Sequence, residues 1–128
     1  MLYNNYGKLK KRKEKMYFRI TIPALQDGKK DEAITFVKDK VMPEFDGTPG
    51  LISMTAAITG ETSGINMSAY ESKEASDAVT EKVQATLAEA ASFMAAPPVI
   101  YEGEAVFGKV YQNINKEEKK PGYMRLVI

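Results

Sequence analysis

The chain has 128 residues, of which 44% are hydrophobic and 27% charged, and its formal net charge is +1. This length predicts one soluble domain with a sizeable core, and no apolar run reaches the roughly 20 residues that a membrane-spanning helix needs. The chain has no cysteine and no histidine, which excludes disulfides, thiolate nucleophiles, zinc fingers and histidine-ligated haem. We therefore expect no metal and no cofactor. Because the basic N-terminus is followed by no apolar signal segment, we also expect a cytoplasmic location and no membrane partner.

The basic residues are concentrated at the N-terminus. Residues 1–15 hold six Lys or Arg against one acidic residue, whereas residues 16–128 hold 12 basic against 16 acidic. Because the body offers no matching basic face, we expect a disordered basic arm and no nucleic-acid partner. Met16 directly precedes the first predicted strand, so an alternative is that the chain naturally starts there and the arm is a translation artefact.

The first two predicted elements are a strand and a helix. Residues 16–25 alternate Phe18, Ile20 and Ile22 with polar or aromatic neighbours, the period of two that is typical of a half-buried strand. Residues 29–45 carry apolar side chains at helical spacing, and we expect this helix to end near Pro43.

A turn and a hairpin follow the first helix. Residues 46–50 are dense in turn formers, and the two glycines there allow the positive φ that such turns need. Residues 51–59 and 64–70 then predict two strands joined by a loop at 60–63.

The second helix is predicted from Ser72, which can cap it, to about Met94. Its expected buried stripe is Ala75, Ala78, Val79, Val83, Thr86, Leu87, Ala90 and Met94. Residues 96–98 should stop it, and residues 99–110 predict a fourth strand with Val99 and Tyr101 on one face and two glutamates on the other.

The order βαββαβ predicts an α+β, ferredoxin-like domain over residues 16–110, with a four-stranded antiparallel sheet and both helices on one face. We expect the helices to cover the apolar side of the sheet. The other side would carry polar residues suited to water or to a wet interface: Ser53, Thr55, Asn66, Ser68, Glu102 and Glu104. Residues 111–128 are a C-terminal extension, for which an added edge strand and a frayed tail are both open.

The segment 42–79 resembles the dimeric α+β barrel superfamily, and most of all its antibiotic biosynthesis monooxygenase-like domains. The matching features are Glu44-Phe45 at the end of helix one, Thr48-Pro49-Gly50 before strand two, and an aromatic strand end leading into Ser72-Lys73-Glu74-Ala75. The order of elements fits over residues 16–107.

This resemblance implies a homodimer that places two sheets face to face, with a ligand pocket between helices and sheet in each subunit. The chemistries it implies are diverse and include cofactor-independent oxidation of quinols and phenols as well as haem degradation. The haem-degrading members use a histidine and several oxidising members use Trp or His with Asn, so the absence of both His and Trp argues most strongly against haem.

Candidate ligand-binding residues are aromatic side chains expected in the pocket and two polar residues of the third strand. They are Phe18, Phe36, Phe45, Asn66, Tyr70, Phe93 and Tyr101, with Met54 and Met67 as adaptable filler. Aromatic residues in such positions more often form ordinary core, and an enclosed apolar cavity would distinguish the two interpretations. Catalytic residues are not identifiable.

Several polar residues have structural roles that we prefer to functional ones. Asn66 and Tyr70 share a strand face about 13 Å apart, and we expect Tyr70 beside helix two and Asn66 on the polar side or at the dimer interface. Arg19 could bind a substrate carboxylate, but pairing with Glu102 or Glu104 is the preferred role. The acidic residues that begin helix two suit its positive N-terminus rather than a metal.

Two functions remain open from the sequence. One is a cofactor-independent monooxygenase-like enzyme that acts on a small aromatic or quinol-type compound. The other is a non-catalytic dimeric module that binds a small apolar or aromatic ligand or serves in stress or assembly.

Overall fold

Four antiparallel strands organise residues 15–109, the part of the chain that the computed structural model describes. The strands are β1 (Tyr17–Leu25), β2 (Leu51–Gly60), β3 (Ser63–Tyr70) and β4 (Met94–Glu104), in the spatial order β2-β3-β1-β4. The helices pack on one face of this sheet, so the predicted ferredoxin-like plan is confirmed. The predicted basic arm, apart from Lys15, and the C-terminal extension lie outside the described residues.

The first helical region has three parts. Helix α1 (Lys30–Phe36) runs into a π-helical turn (Val37–Val41), and α2 (Met42–Phe45) follows. The helical region ends at Phe45, two residues after Pro43, which confirms the predicted end of the helix. Pro43 itself lies in the first turn of α2, directly after the π-helical turn. The Met42 N–H bonds the carbonyl of Val37 across the wider turn.

The second helical region is also interrupted. Ser72 caps α3 (Lys73–Ala78) by accepting a hydrogen bond from the Ala75 N–H at 3.2 Å, as predicted. The helix is then interrupted at Val79, where φ is −111°. It continues as α4 (Thr80–Ala90) and a 3₁₀ turn (Ala91–Phe93). This break shifts the buried stripe: Ser76 is fully buried, whereas Ala78, which we expected inside, is exposed.

The two turn predictions are confirmed. Gly47 and Gly50 have φ of 75° and 79° in the connection that precedes β2. The hairpin loop between β2 and β3 is shorter than expected, because only Glu61 and Thr62 lie outside the two strands.

Strand β4 includes Pro97 and Pro98, which we expected to lie before the strand. Ile22 of β1 pairs with Val99 and Ala24 pairs with Ala96, so the two prolines together oppose a single residue in a bulge. Since β4 is at the edge of the sheet, residues without an N–H are tolerated there. The strand ends at Glu104, earlier than predicted.

For β1 and β3 the faces of the sheet are the reverse of our expectation. The polar alternation of β1, with Arg19 and Thr21, lies beneath the helices together with Asn66 and Ser68 of β3. The apolar alternation lies on the opposite side, the outer face, which includes Phe18, Ile20, Ile22, Met67, Ala69, Val99 and Tyr101, with Ser53 and Thr55 of β2 beside them. Period-two alternation separates two faces but does not say which one the helices cover, and here the hydrophobic side faces away from them.

The polar residues expected on β2 and β4 divide between the two faces. Ser53 and Thr55 of β2 do lie on the side away from the helices, as predicted, because they pair with Ala69 and Met67. Glu102 and Glu104 were expected there too but pair with Arg19 and Tyr17 on the helix-covered side.

A small hydrophobic cluster closes one end of the helix-covered side. Leu25, Ala33, Ala90 and Phe93 are buried there, and Phe36 packs edge-to-face on Phe93 with ring centroids 5.3 Å apart. None of the helices within residues 15–109 is long and apolar enough to cross a membrane.

Candidate functional site

A cavity of about 770 Å³ lies between the helices and the sheet. This volume falls within the roughly 300–1,000 Å³ of ordinary small-molecule sites. Side chains from both helical regions and from β2 form its apolar walls, among them Phe36, Val41, Phe45, Met54, Leu87 and Phe93. The aromatic residues therefore surround a space rather than fill it.

The sheet supplies a polar floor to this cavity. Arg19 and Thr21 of β1 lie opposite Ser68 and Asn66 of β3, and Tyr70 continues the same face of β3. We call these five residues the polar floor. Thr21 is buried, yet no side-chain hydrogen bond to Thr21, Asn66 or Ser68 is formed by the residues described here. Since buried polar groups normally have a partner, this floor suits a ligand or water that supplies one.

Arg19 is the anchor of the polar floor, and it is only 5% exposed. Its Nη2 donates to Ser76 Oγ at 2.7 Å and to the Ser76 carbonyl at 3.2 Å, and its Nη1 donates to the Tyr70 hydroxyl at 3.1 Å. Its Nε donates to Glu102 Oε2 at 3.4 Å. The guanidinium thus joins β1, β3, β4 and α3 at one point.

Tyr17 completes the hydrogen-bonded group around Glu102. Its hydroxyl donates to Glu102 Oε1 at 3.2 Å, so both carboxylate oxygens are engaged. Burial raises the pKa of the Tyr17 phenol, and the charge of the Glu102 carboxylate raises that pKa further. Tyr17 therefore remains a neutral donor at neutral pH.

No family model matches the sequence, and no curated protein is significantly similar to it. Solved structures are similar in fold. A protein of unknown function from Nitrosomonas europaea, NE2512, superposes with a TM-score of 0.67 at 17% identity, covering 77% of this chain and 97% of its own. A candidate antibiotic biosynthesis monooxygenase from Caulobacter crescentus gives 0.63 at 20% identity, with 79% and 99% covered.

The ActVA-Orf6 monooxygenase of Streptomyces coelicolor, solved in complex with nanaomycin D, gives a TM-score of 0.60 at 18% identity, with 77% and 94% covered. This chain has the fold of the antibiotic biosynthesis monooxygenases. At this level of identity the likeness defines the architecture, and the chemistry has to be argued from the site.

Within this antibiotic biosynthesis monooxygenase fold, the structure brings together five of the seven candidate ligand-binding residues. Phe36, Phe45, Asn66, Tyr70 and Phe93 all line the cavity. Whether they bind a ligand stays a prediction.

The other two candidates, Phe18 and Tyr101, lie elsewhere. Both belong to the outer face, where Tyr101 is 46% exposed, because the helices cover the polar alternation of β1 rather than the apolar one. The same reversal places Asn66 in the polar floor of the cavity instead of at a polar outer surface. Met54 lines the cavity, whereas its partner in the prediction, Met67, does not.

The predicted pairing of Arg19 with Glu102 or Glu104 is confirmed for Glu102. We did not predict from the sequence that Ser76 and Tyr70 would be further acceptors. Arg19 and Tyr70 share a face of adjacent strands, a signal that was present in the alternation. Nothing in the sequence indicated Ser76, because its position depends on the break at Val79.

The cavity is chemically a donor-rich site. Within residues 15–109 its lining contains no carboxylate, and the two charged residues that line it are Arg19 and Lys38. No group of acidic side chains among residues 15–109 could hold a metal ion, and the acidic run that begins α3 instead includes an ion pair between Asp77 and Lys73 at 2.9 Å. The arrangement can hold an apolar ring system and offer hydrogen bonds to its oxygen atoms.

Proposed function

We propose that this protein is a cofactor-independent monooxygenase-like enzyme that acts on a small aromatic or quinol-type compound. The observation that carries the proposal is the cavity of about 770 Å³, with aromatic walls and a polar floor rich in donors. The fold that the chain shares with solved monooxygenases supports it. The nanaomycin D complex of ActVA-Orf6 supports a small organic molecule as the occupant here.

The chemistry rests on the substrate as the source of electrons. When a CH₂ group of an activated ring becomes a carbonyl, the substrate gives up four electrons, O₂ accepts them, and one oxygen atom enters the product while the other leaves as water. No external reductant is needed. The protein then has to hold the ring, stabilise negative charge on a substrate oxygen and exclude bulk water.

The polar floor suits the second of these tasks. Asn66 offers amide N–H donors and Tyr70 offers a hydroxyl, both on the cavity side of β3. Hydrogen bonds that strengthen as a phenol or enol loses its proton favour the anion that reacts with oxygen. Since none of the described carboxylates lines the cavity, the substrate's own acidity must contribute to that proton loss.

A homodimer formed through the outer face is part of the proposal. Val99 and Tyr101 are 51% and 46% exposed on that face, beside the half-buried Ile20 and Met67. An apolar sheet face of this kind is typically covered by a partner. A cytoplasmic location without nucleic-acid or membrane partners remains the expectation from the sequence.

A second candidate function is a non-catalytic module that binds a small ligand in the same cavity, with stress or assembly roles as its context. The chain has no histidine, and no carboxylate from the part of the chain that the structure describes lines the cavity. Both facts favour this second function, because a binding site needs no group to move a proton. The two functions share the ligand class and differ in turnover.

Oxygen uptake distinguishes the two functions. The purified protein should consume O₂ with at least one member of a panel of quinols and anthrone-type phenols, and ¹⁸O₂ should label the product. Asn66→Ala should lower that rate about tenfold or more, since one oxyanion-stabilising donor is lost. Gln84→Ala, which removes an exposed amide on α4, is the matched control and should retain the rate. Ligand binding without uptake would support the binding module instead.

A further inference from the structure

The Tyr70 hydroxyl has a proton with no recipient among residues 15–109. Tyr70 is 1% exposed, and its oxygen accepts a hydrogen bond from Arg19 Nη1 at 3.1 Å. A phenol oxygen carries one proton of its own in addition to the lone pairs that accept. No described side chain or carbonyl accepts this proton, and Tyr70 is among the residues that line the cavity.

Arg19 leaves the Tyr70 oxygen little freedom. Its fork is held on two other sides, by both oxygens of Ser76 and by Glu102, and its guanidinium carbon lies 5.3 Å from the centre of the Tyr70 ring. A planar guanidinium that is fixed in this way presents Nη1 to the hydroxyl in one direction. The Tyr70 proton is then directed away from Arg19.

We propose that Arg19 is a positioning residue that aims the Tyr70 O–H into the cavity, so that the site selects ligands with an acceptor oxygen at this end. The inference rests on the proposed function only in that an aromatic ligand occupies the cavity, and it holds with or without turnover. The substrate class that it adds is a ring compound that places a carbonyl or phenolate oxygen against β3, as opposed to a ring of the same size without such an oxygen.

Two physical effects make this preference measurable. A hydroxyl that accepts from a cation is polarised and becomes a stronger donor. A ligand without an acceptor oxygen also leaves the buried Tyr70 proton unpaired, which adds to the discrimination. One such hydrogen bond corresponds to a preference of about tenfold in affinity.

A matched pair of probes tests the inference. Equilibrium dialysis would measure binding of 1,4-naphthoquinone and of naphthalene, which has the same ring system and no oxygen; the absence of cysteine removes thiol addition to the quinone. We expect Tyr70→Phe to weaken naphthoquinone about tenfold and to leave naphthalene within about twofold. Arg19→Lys keeps the charge but cannot bond Ser76, Glu102 and Tyr70 together, and it should lower the naphthoquinone affinity alone, by severalfold.

A double-variant cycle separates positioning from a structural role. In the Tyr70→Phe background, Arg19→Lys should produce no further change in the ratio of the two affinities, because the group through which it acts is gone. If Arg19→Lys fails to fold, Ser76→Ala takes its place, since it removes the 2.7 Å contact that steadies the fork. Ser92→Ala, at an exposed serine, is its control.

The inference is overturned if the variants weaken both probes alike, if Tyr70→Phe leaves the ratio unchanged, or if neither probe binds the unaltered protein. These results are independent of oxygen uptake. A retained probe preference without turnover would refute the monooxygenase proposal alone, whereas turnover without the preference would refute this inference alone.

Discussion

The role of the buried Arg19 lies in its fixed position rather than in a contribution of its charge to stability. Taking an arginine out of water is costly, and a pair with a partly exposed carboxylate such as Glu102 offsets that cost only in part. The remaining offset comes from acceptors on three other groups, namely both oxygens of Ser76 and the hydroxyl of Tyr70. These contacts fix the geometry of the arginine, and the arginine in turn fixes the orientation of the polar floor around it.

Tyr17 gives a prediction about stability at high pH. Burial and Glu102 raise its pKa in the folded protein above the value of about 10 that the unfolded chain has. The stabilisation is fully present below pH 10, and it is lost as the pH rises from there through the higher folded pKa, because only the unfolded state gains by ionising. Urea midpoints at about pH 8 and about pH 10.5 should therefore fall more for the unaltered protein than for Tyr17→Phe.

Lysine residues titrate in the same range, so the comparison with the variant is essential. The pKa of Lys40 is raised by its hydrogen bond to Glu44, and that of Lys73 by its hydrogen bond to Asp77, and both pairs lose stabilisation in the same direction. These lysines are unchanged in Tyr17→Phe. An equal loss of stability in both proteins would show that the Tyr17 pKa is not raised by folding.

At the scale of elements, the connection before β2 fits only glycine at one position. Gly50 has a φ of 79°, and a Cβ built there would lie 2.5 Å from the Cβ of Ala75 in α3. Gly50→Ala combines left-handed strain with a steric overlap and should lower the free energy of unfolding by about 2–4 kcal/mol. Equilibrium urea denaturation followed by circular dichroism measures this directly.

Gly47 is the matched control for that substitution. Its φ of 75° is nearly the same, but nothing lies within 4 Å of a Cβ built there. Gly47→Ala should therefore cost only the backbone term, about 1–2 kcal/mol. If the two variants lose the same stability, the close approach of the turn to α3 is not what requires Gly50.

The elements that could be predicted from sequence are those with local causes. Ser72 caps α3 through its own neighbours, and Gly47 adopts the positive φ that a turn of this composition requires. Pro97 and Pro98 were misplaced because their acceptance in β4 depends on an edge position and a bulge against β1, both of which are set by the topology.

The candidate site was predictable to the extent that it consists of aromatic residues between the helices and the sheet. Phe36, Phe45 and Phe93 line the cavity, as the sequence led us to expect. Phe18 and Tyr101 could not be placed, because alternation along a strand does not reveal which side a helix or a second subunit covers. Ser76 was missed since the break at Val79 rotates the helix by an amount that no local signal specified.

At the scale of the whole molecule, β1 and β3 place their polar residues beneath the helices and their apolar residues outward. The first arrangement makes sense when the helix-covered side contains a ligand cavity rather than a dry core. The second requires a cover, because a sheet face that includes Phe18, Ile20 and Tyr101 is costly to leave in water. The ligand cavity and the proposed dimer thus both follow from which face of the sheet the helices cover.

The dimer yields the last prediction. Ile20 lies between Met67 and Tyr101 in the middle of the outer face, so Ile20→Glu would place a charge at the centre of a two-sheet interface. Sedimentation velocity should show a dimer for the unaltered protein and a monomer for Ile20→Glu, since desolvating an unpaired carboxylate outweighs the remaining apolar contact. Ala88→Glu, at an exposed position on α4, should leave the dimer intact. A monomer at micromolar concentration for the unaltered protein would mean that the outer face has another cover, and the proposed dimer would have to be abandoned.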